Sequence, residues 1–466
     1  MSLTSSAQPP DATGLRTPGP AVAVVACLAQ FMVVLDALIV QVALPSMRDG
    51  LGMSAGQQQW VINAYLLLFG GLLLLGGRAA DLFGRKRVFL AGLGVFTLFS
   101  LLGGLALSGP MLIAARALQG VGAAMLAPAP IALITAVYTE PAARTKAMSI
   151  WSAATTLAGS IAVLLGGALT DSLGWRWVLL VNVPIGIALF AVSLRALPAL
   201  EPPASSRPRT LDVPGALTAT IGLGALVLGV GNAENTPWSS PQVCLPLIIA
   251  VVLLTVFVLL ESRVAQPLVR LAVFRVRSLS VGNVIMMVAG ALTTCSVYFI
   301  SLYLQGVQHY SALSSGLAIL PMTIAIALAS LFARKLVGLV GPKTTLIAGA
   351  LVAAAGLLWQ ARFSADSPYL TEILGPTVLI GLGLGTAVLP ITMAAMTGVP
   401  PTDAGLASAL MNTSRQVGGS IGVAALSTVA AAMADATAGY GAALLTAGVL
   451  AVAIAVLAVG LPKAAK

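Results

Sequence analysis

The chain has 466 residues, of which 58% are apolar and only 8% charged, and its 24 basic against 14 acidic side chains give a net charge of +10. A soluble domain needs about a quarter of its residues charged to cover its surface, so this composition excludes an ordinary soluble protein and makes lipid the main solvent. In a soluble protein the positive balance would suggest nucleic acid; here the placement of the bases along a membrane topology accounts for it, and no nucleic-acid partner is expected.

Residues 1–19 are polar and Pro-rich, with neither a basic n-region nor a small-residue cleavage site. They read as a cytoplasmic tail with no removable signal, the first helix being its own anchor. Apolar runs of about 20 residues or more, enough to cross a bilayer, follow at about 20 to 44, 57 to 77, 88 to 107, 110 to 137, 144 to 170, 175 to 197, 213 to 231, 242 to 261, 279 to 304, 313 to 333, 342 to 360, 369 to 398, 404 to 432 and 440 to 462. Lipid-facing backbone must satisfy its polar groups within its own segment, and the runs lack the alternation of a barrel strand. The expectation is therefore an all-α membrane protein of fourteen transmembrane helices.

On that scheme nineteen of the 24 bases fall on one side, only Arg48, Arg176 and Arg362 on the other, and Arg116 and Arg415 inside helices. The majority side reads as cytoplasmic, and an even helix count places both termini there. The polar, Pro-rich stretch 198–212 and the charged stretch 261–277 bracket two helices. The expected organisation is a six-helix bundle at 20–197, a linker with two extra helices at 198–278, a second six-helix bundle at 279–462 and a short tail at 463–466. GRKRVFLAG at 84–92 aligns without gaps on GPKTTLIAG at 341–349, each between the second and third helices of its half. That position points to duplicated halves, a known construction for alternating access.

Three charges lie inside predicted helices: Asp36 in the first, Arg116 in the fourth and Arg415 in the thirteenth. Each costs at least about 2.5 to 3.5 kcal/mol at mid-bilayer, so it should be paired or face water. Asp36 and Arg116 fall about 13 Å and about 9 Å from the outer ends of their helices, similar depths. A carboxylate rises above its reference pKa of about 3.9 when desolvated and falls when a guanidinium or cationic ligand approaches, so such a site can exchange a proton for a cation. A single such acid suggests low stoichiometry and monovalent cationic or neutral substrates. Trp60, Asn63, Tyr65, Met286, Tyr298, Tyr303 and Arg415 are the candidates for lining a substrate cavity. His309, the lone histidine, reads as an interfacial residue. Cys27, Cys244 and Cys295 are too far apart for a disulfide framework or a metal site, and neither metal nor cofactor is expected. One mid-membrane acid, with no HExxH and no Ser–His pair, is too little for an intramembrane enzyme.

The loop after the second helix carries Gly77, Asp81, Gly84, Arg85 and Lys86, a tight turn in which a carboxylate among bases can latch and release. With LDALIVQVALP at 35–45, RALQGVG at 116–122, WVINAYLL at 60–67, GWRWVLLVNVPIG at 174–186 and GLASALMNTSRQVGGSIG at 405–422, it resembles the major facilitator superfamily, specifically the fourteen-helix drug:proton antiporters. The resemblance covers nearly the whole chain. It implies the major facilitator fold, proton coupling through Asp36 and Arg116, a cytoplasmic gate at Gly77, Asp81, Gly84, Arg85 and Lys86, and helix packing at Gln119, Gly120, Gly166 and Gly167. It further implies multidrug efflux by a monomer in the bacterial cytoplasmic membrane, with protons and a small hydrophobic or cationic drug as partners. Export of an endogenous secondary metabolite or lipid-like product is the alternative. One departure stands out: the subgroup's fifth helix usually carries Gly-Pro before its Gly-Gly pair, and here Ala162 and Val163 occupy those places. The absent proline predicts a straighter fifth helix.

Overall fold

The structure is a computed structural model that describes residues 20–138, 140–197, 211–233, 236–264, 266–364, 366–400 and 403–461. The tails at 1–19 and 463–466 lie outside those residues, as do 198–210 of the linker and five of the bases counted for topology: Arg16, Arg207, Arg209, Lys463 and Lys466. The regular elements among the described residues are all helices. The first half comprises α1 (Pro20–Leu51), α2 (Ala55–Phe83), α3 (Arg85–Gly104), α4 (Gly109–Leu126), α5 (Ala129–Val137), α6 (Pro141–Leu173), α7 (Arg176–Leu180) and α8 (Asn182–Ala196). The insert is α9 (Val213–Asn232) and α10 (Pro241–Arg263), and the second half runs α11 (Arg277–Gly306), α12 (Ala312–Val340), α13 (Pro342–Gln360), α14 (Gly375–Met396), α15 (Ala404–Ala431) and α16 (Ala436–Val459).

Local chemistry sets many of the boundaries. Ser54 and Gln57 form a reciprocal capping box at the start of α2, with N–H···O distances of 3.2 and 3.1 Å, which satisfies two of the N–H groups left over at a helix start. Pro141, Pro241 and Pro342 open α6, α10 and α13, where a missing N–H costs nothing. The fourth expected span is two helices, α4 and α5, separated around Pro128. The sixth is likewise α7 followed by α8.

Thirteen helices among the described residues are long and apolar enough to cross a membrane. The exception to the expected fourteen is α15, a 28-residue helix whose polar run from Asn412 to Gln416 lowers its hydropathy. Packing explains how so polar a helix is held: α15 sits against α2, α9, α11 and α16. Gly418 brings it so close to α11 that a Cβ there would lie 1.9 Å from the Met287 carbonyl oxygen. The insert docks through α9, which packs on α2 and α15, and Thr428 Oγ1 donates to the Val230 carbonyl at 2.9 Å. Helix α10 packs chiefly on α9 and leaves most of its apolar surface outward, as a lipid-facing helix would.

The short sequence repeat has a structural counterpart. Gly84 and Gly341 adopt φ of +91° and +83° at the starts of α3 and α13, a left-handed conformation that favours glycine. Two residues on, Lys86 Nζ donates to the carbonyls of Leu194 (2.8 Å) and Leu197 (2.7 Å) at the end of α8. Lys343 Nζ donates to those of Val459 and Leu461 at the end of α16. Each lysine thus neutralises the negative end of the last helix of its half.

Candidate functional site

Asp36 is fully buried on α1, and the side chains around it come from four other helices. Arg116 Nη1 on α4 donates to Asp36 Oδ2 at 2.6 Å, the pair being 1% and 0% exposed. Gln119 Nε2, one turn further along α4, donates to Oδ1 at 2.8 Å, and Asn182 Nδ2, the first residue of α8, donates to the same oxygen at 2.9 Å. Asn182 also donates to Ser100 Oγ on α3 at 3.1 Å, and that hydroxyl donates to the Leu179 carbonyl at 2.8 Å. From α2, the Val61 carbonyl accepts from Arg116 Nε at 3.3 Å, while the Tyr65 ring lies 4.2 Å from the guanidinium carbon. A carboxylate accepting three donors, one of them cationic, is held by strong charge-assisted bonds in a dry interior.

The helices reach this point because small residues let them. A Cβ at Gly120 would lie 2.5 Å from the Tyr65 carbonyl oxygen, so α4 can approach α2 closely only with glycine there. Gly166 plays the same part between α6 and Ile39 of α1, and Gly167 between α6 and α12, where a Cβ would meet the Ala312 oxygen at 2.5 Å. Gln119, read from sequence as a packing residue, is a direct partner of Asp36. Sequence reasoning missed Asn182 and Ser100 as partners. An amide opening a helix within the otherwise apolar run 178–185 was the available signal.

At the end bearing most of the bases, α5 and α6 face α12 and α14 across a cleft of about 1000 Å³. At the opposite end the halves are closed. Asp171 accepts the N–H groups of Ala312 (3.1 Å) and Leu313 (2.9 Å) at the start of α12, and Gln305 Nε2 on α11 donates to the Val42 carbonyl at 2.9 Å. Helix α6 runs unbroken from Pro141 to Leu173 with no internal proline. Val163, standing where the subgroup has proline, offers its carbonyl to Gly316 of α12, whose Cβ would come within 2.6 Å of it.

The loop residues divide by role. Gly84 makes the turn, Arg85 Nη1 donates to the Ala132 carbonyl of α5 at 3.0 Å, and Lys86 caps α8. Gly77 lies 3.9 Å from Pro128 by its virtual Cβ, an ordinary contact. Asp81 forms no ion pair among the described residues, so the expected latch is not engaged in this conformation. Arg78 instead donates to Gln266 Oε1 at 2.8 Å, and Arg270 pairs with Asp403 at 2.7 Å, tying the segment after α10 to the near ends of α2 and α15.

The aromatic candidates do not gather around one cavity. Trp60 packs against the cluster of Leu67, Val227 and Ala424, and Tyr65 stacks on Arg116 inside the first half. Met286 and Tyr298 are buried in the core of the second half. Tyr303 lies 3.9 Å from the Phe363 ring and donates to the Ser364 carbonyl at 2.6 Å, away from the cleft. Asn63 is buried, its Oδ1 without a partner. Hydropathy cannot separate a core-facing aromatic from a cavity-facing one. Arg415 differs: it is exposed at the middle of α15, and its Nη2 donates to Asn412 Oδ1 at 3.1 Å. One turn further on, a Cβ at Gly419 would meet Thr294 of α11 at 2.7 Å and Leu66 of α2 at 3.3 Å, so this face of α15 lies where the two halves meet. His309 ends the turn between α11 and α12 with φ of +57°.

The relatives of this chain agree on its class. It is 43% identical over 450 residues, 95% of its own length and 92% of the relative's, to the cephamycin export protein of Amycolatopsis lactamdurans. It is 43% identical over 423 residues, 90% and 82% of the two chains, to a puromycin resistance protein of Streptomyces alboniger. Identity to the tetracenomycin C resistance and export protein of Streptomyces glaucescens is 32% over 425 residues, 90% and 77% of the two chains. In fold it is similar to the crystal structure of an auto-inhibited POT family peptide transporter, with a TM-score of 0.67, 15% identity and 94% coverage of both chains. Residues 26–423 match the Major Facilitator Superfamily. The chain, with its many apolar helices, is a multi-pass membrane transporter and belongs to the Major Facilitator Superfamily.

Proposed function

We propose that this protein is a drug:proton antiporter of the fourteen-helix subgroup, which exports hydrophobic antibiotic-like molecules across the bacterial cytoplasmic membrane by alternating access. In this reading residues 20–197 and 279–462 are the two rocking bodies, 198–278 is the linker with its two extra helices, both termini are cytoplasmic, and the monomer is the working unit. The cleft then opens to the cytoplasm, and the Asp171 end is closed to the outside.

The observation that carries the proposal is the Asp36–Arg116 pair, sealed inside the first half with Gln119 and Asn182. Arg116 has other acceptors within reach: the Gln119 Oε1 at 2.7 Å, the Val61 carbonyl and the Tyr65 ring. When Asp36 takes a proton, the guanidinium can stay satisfied by these groups, which limits the cost of breaking the buried pair. When the proton leaves, the pair reforms and draws α1 to α4. Proton occupancy and helix position are thereby linked. Helices α2, α3 and α8 feel the same change through Val61, Ser100 and Asn182.

The test is efflux of a hydrophobic dye from everted membrane vesicles. Wild type is expected to lose concentrative transport when the pH gradient is collapsed, and Asp36→Asn to lack it from the start. Transport that ignores both changes would defeat the proposal. A second reading, export of a self-made secondary metabolite, draws support from the relatives named for cephamycin and tetracenomycin C export. It uses the same machinery and differs only in cargo.

A further inference from the structure

The cleft is basic, and among the described residues neither of its arginines forms an ion pair. Arg144 on α6 and Arg334 on α12 line it from opposite halves, and no carboxylate is among the lining residues. The hydroxyls of Thr135, Ser149, Thr155, Ser330 and Thr392 also line it, but each donates to a carbonyl of its own helix. They offer acceptor lone pairs and no spare proton. The indole N–H of Trp151, another lining residue, has no acceptor. Deeper in, at mid-span, Arg415 is exposed on a helix that packs against both halves, and it forms no ion pair among the described residues. Asp36, the one acid buried at comparable depth among the described residues, is already neutralised by Arg116.

An unpaired guanidinium at mid-membrane carries a standing cost, met only by water or by a ligand of opposite charge. Guanidinium is also the side chain whose planar fork matches a carboxylate. From this arrangement we infer that the exported substrate carries a carboxylate or an equivalent anionic group, guided past Arg144 and Arg334 and held at Arg415. This deepens the export reading and rests on it for the identity of the cleft as the substrate path. It reverses the charge expected from Asp36 considered alone, because Arg116 consumes that charge and no second acid replaces it in the cleft.

The test uses the purified full-length chain and a matched pair of probes, a carboxylate-bearing xanthene dye and its uncharged-side-chain methyl ester, with binding read by fluorescence anisotropy. Wild type is expected to bind the carboxylate about tenfold more tightly than the ester, the worth of one charge-assisted hydrogen bond. Arg415→Gln should erase the preference and Arg415→Lys restore part of it, with unchanged affinity for the ester showing that the fold is intact. Arg334→Gln, at the mouth, should lower the preference independently and carries the test if the Arg415 variant does not fold. An ester bound as well as the carboxylate by wild type, or a preference untouched in both glutamine variants, would overturn the inference. Binding needs no gradient, so an antiport failure in vesicles with the preference intact would remove proton coupling alone.

Discussion

Asp171, near the end of α6, caps Leu313 in the first turn of α12: its Oδ2 accepts the Leu313 N–H at 2.9 Å while Oδ1 accepts that of Ala312 at 3.1 Å. The carboxylate belongs to the first half and the helix N-terminus to the second, so this contact closes one end of the transporter. A cap with a full negative charge is worth about 1 kcal/mol. Asp171→Asn keeps the shape and loses the charge, and should shift the balance of closed to open at this end by about fivefold. Spin labels on Leu173→Cys and Leu317→Cys, in a chain lacking its native cysteines, read that balance as a distance distribution. An unchanged distribution would show the cap to be passive.

Beside that cap, Gly316 lies against the Val163 carbonyl where the subgroup's fifth helix has its proline. The close fit replaces a bend with a small residue on the partner helix. Gly316→Leu should force α6 and α12 apart at a cost of about 1 to 3 kcal/mol, and proton leak into vesicles without substrate should rise. Gly338→Ala, on the same helix with nothing within 4 Å of its virtual Cβ, is the control expected to leak no more than wild type.

The two partners of the buried pair should behave differently when removed. Arg116→Ala leaves Asp36 charged and unpaired, at a cost of about 3 to 5 kcal/mol, and should lower the thermal unfolding temperature in detergent markedly. Asp36→Asn keeps the bonds from Gln119 and Asn182 within reach and should unfold close to wild type. Equal losses in the two variants would argue that the network is only structural.

Charge movement follows from substrate charge. With one proton entering per substrate leaving, a monoanion moves two elementary charges inward, a neutral molecule one and a monovalent cation none. Each charge couples about 2.3 kcal/mol per 100 mV to transport. A carboxylate probe of net charge −1 should therefore respond to an imposed potential about twice as steeply, in free energy, as a neutral probe. A carboxylate flux indifferent to potential would contradict either the stoichiometry or the anionic substrate.

Much of this was legible in the sequence because bilayer solvation is so restrictive. Backbone that must satisfy itself forces helices, and charges that cost several kcal/mol stand out, which singled out Asp36, Arg116 and Arg415 before any geometry. The Lys86 and Lys343 contacts were foreshadowed by a nine-residue repeat at equivalent positions. What escaped notice depends on direction. Trp60 and Tyr303 have the composition of a binding site and the orientation of packing residues, and hydropathy carries no angular information about which neighbour a face meets. Asn182 looked like one amide among apolar residues until α7 and α8 turned it toward Asp36. Helix α15 fell below the hydropathy of a span because its polar face is covered by protein or borders the space between the halves, so lipid never set its composition.

The central claim is that Asp36 carries the coupled proton, and proteoliposomes with an entrapped pH indicator test it most directly. A downhill gradient of the carboxylate dye should drive a proton flux in the opposite direction through wild type. Asp36→Asn should show dye-for-dye exchange with no proton flux. Proton movement that persists with the dye in Asp36→Asn would contradict the account and place the coupling group elsewhere.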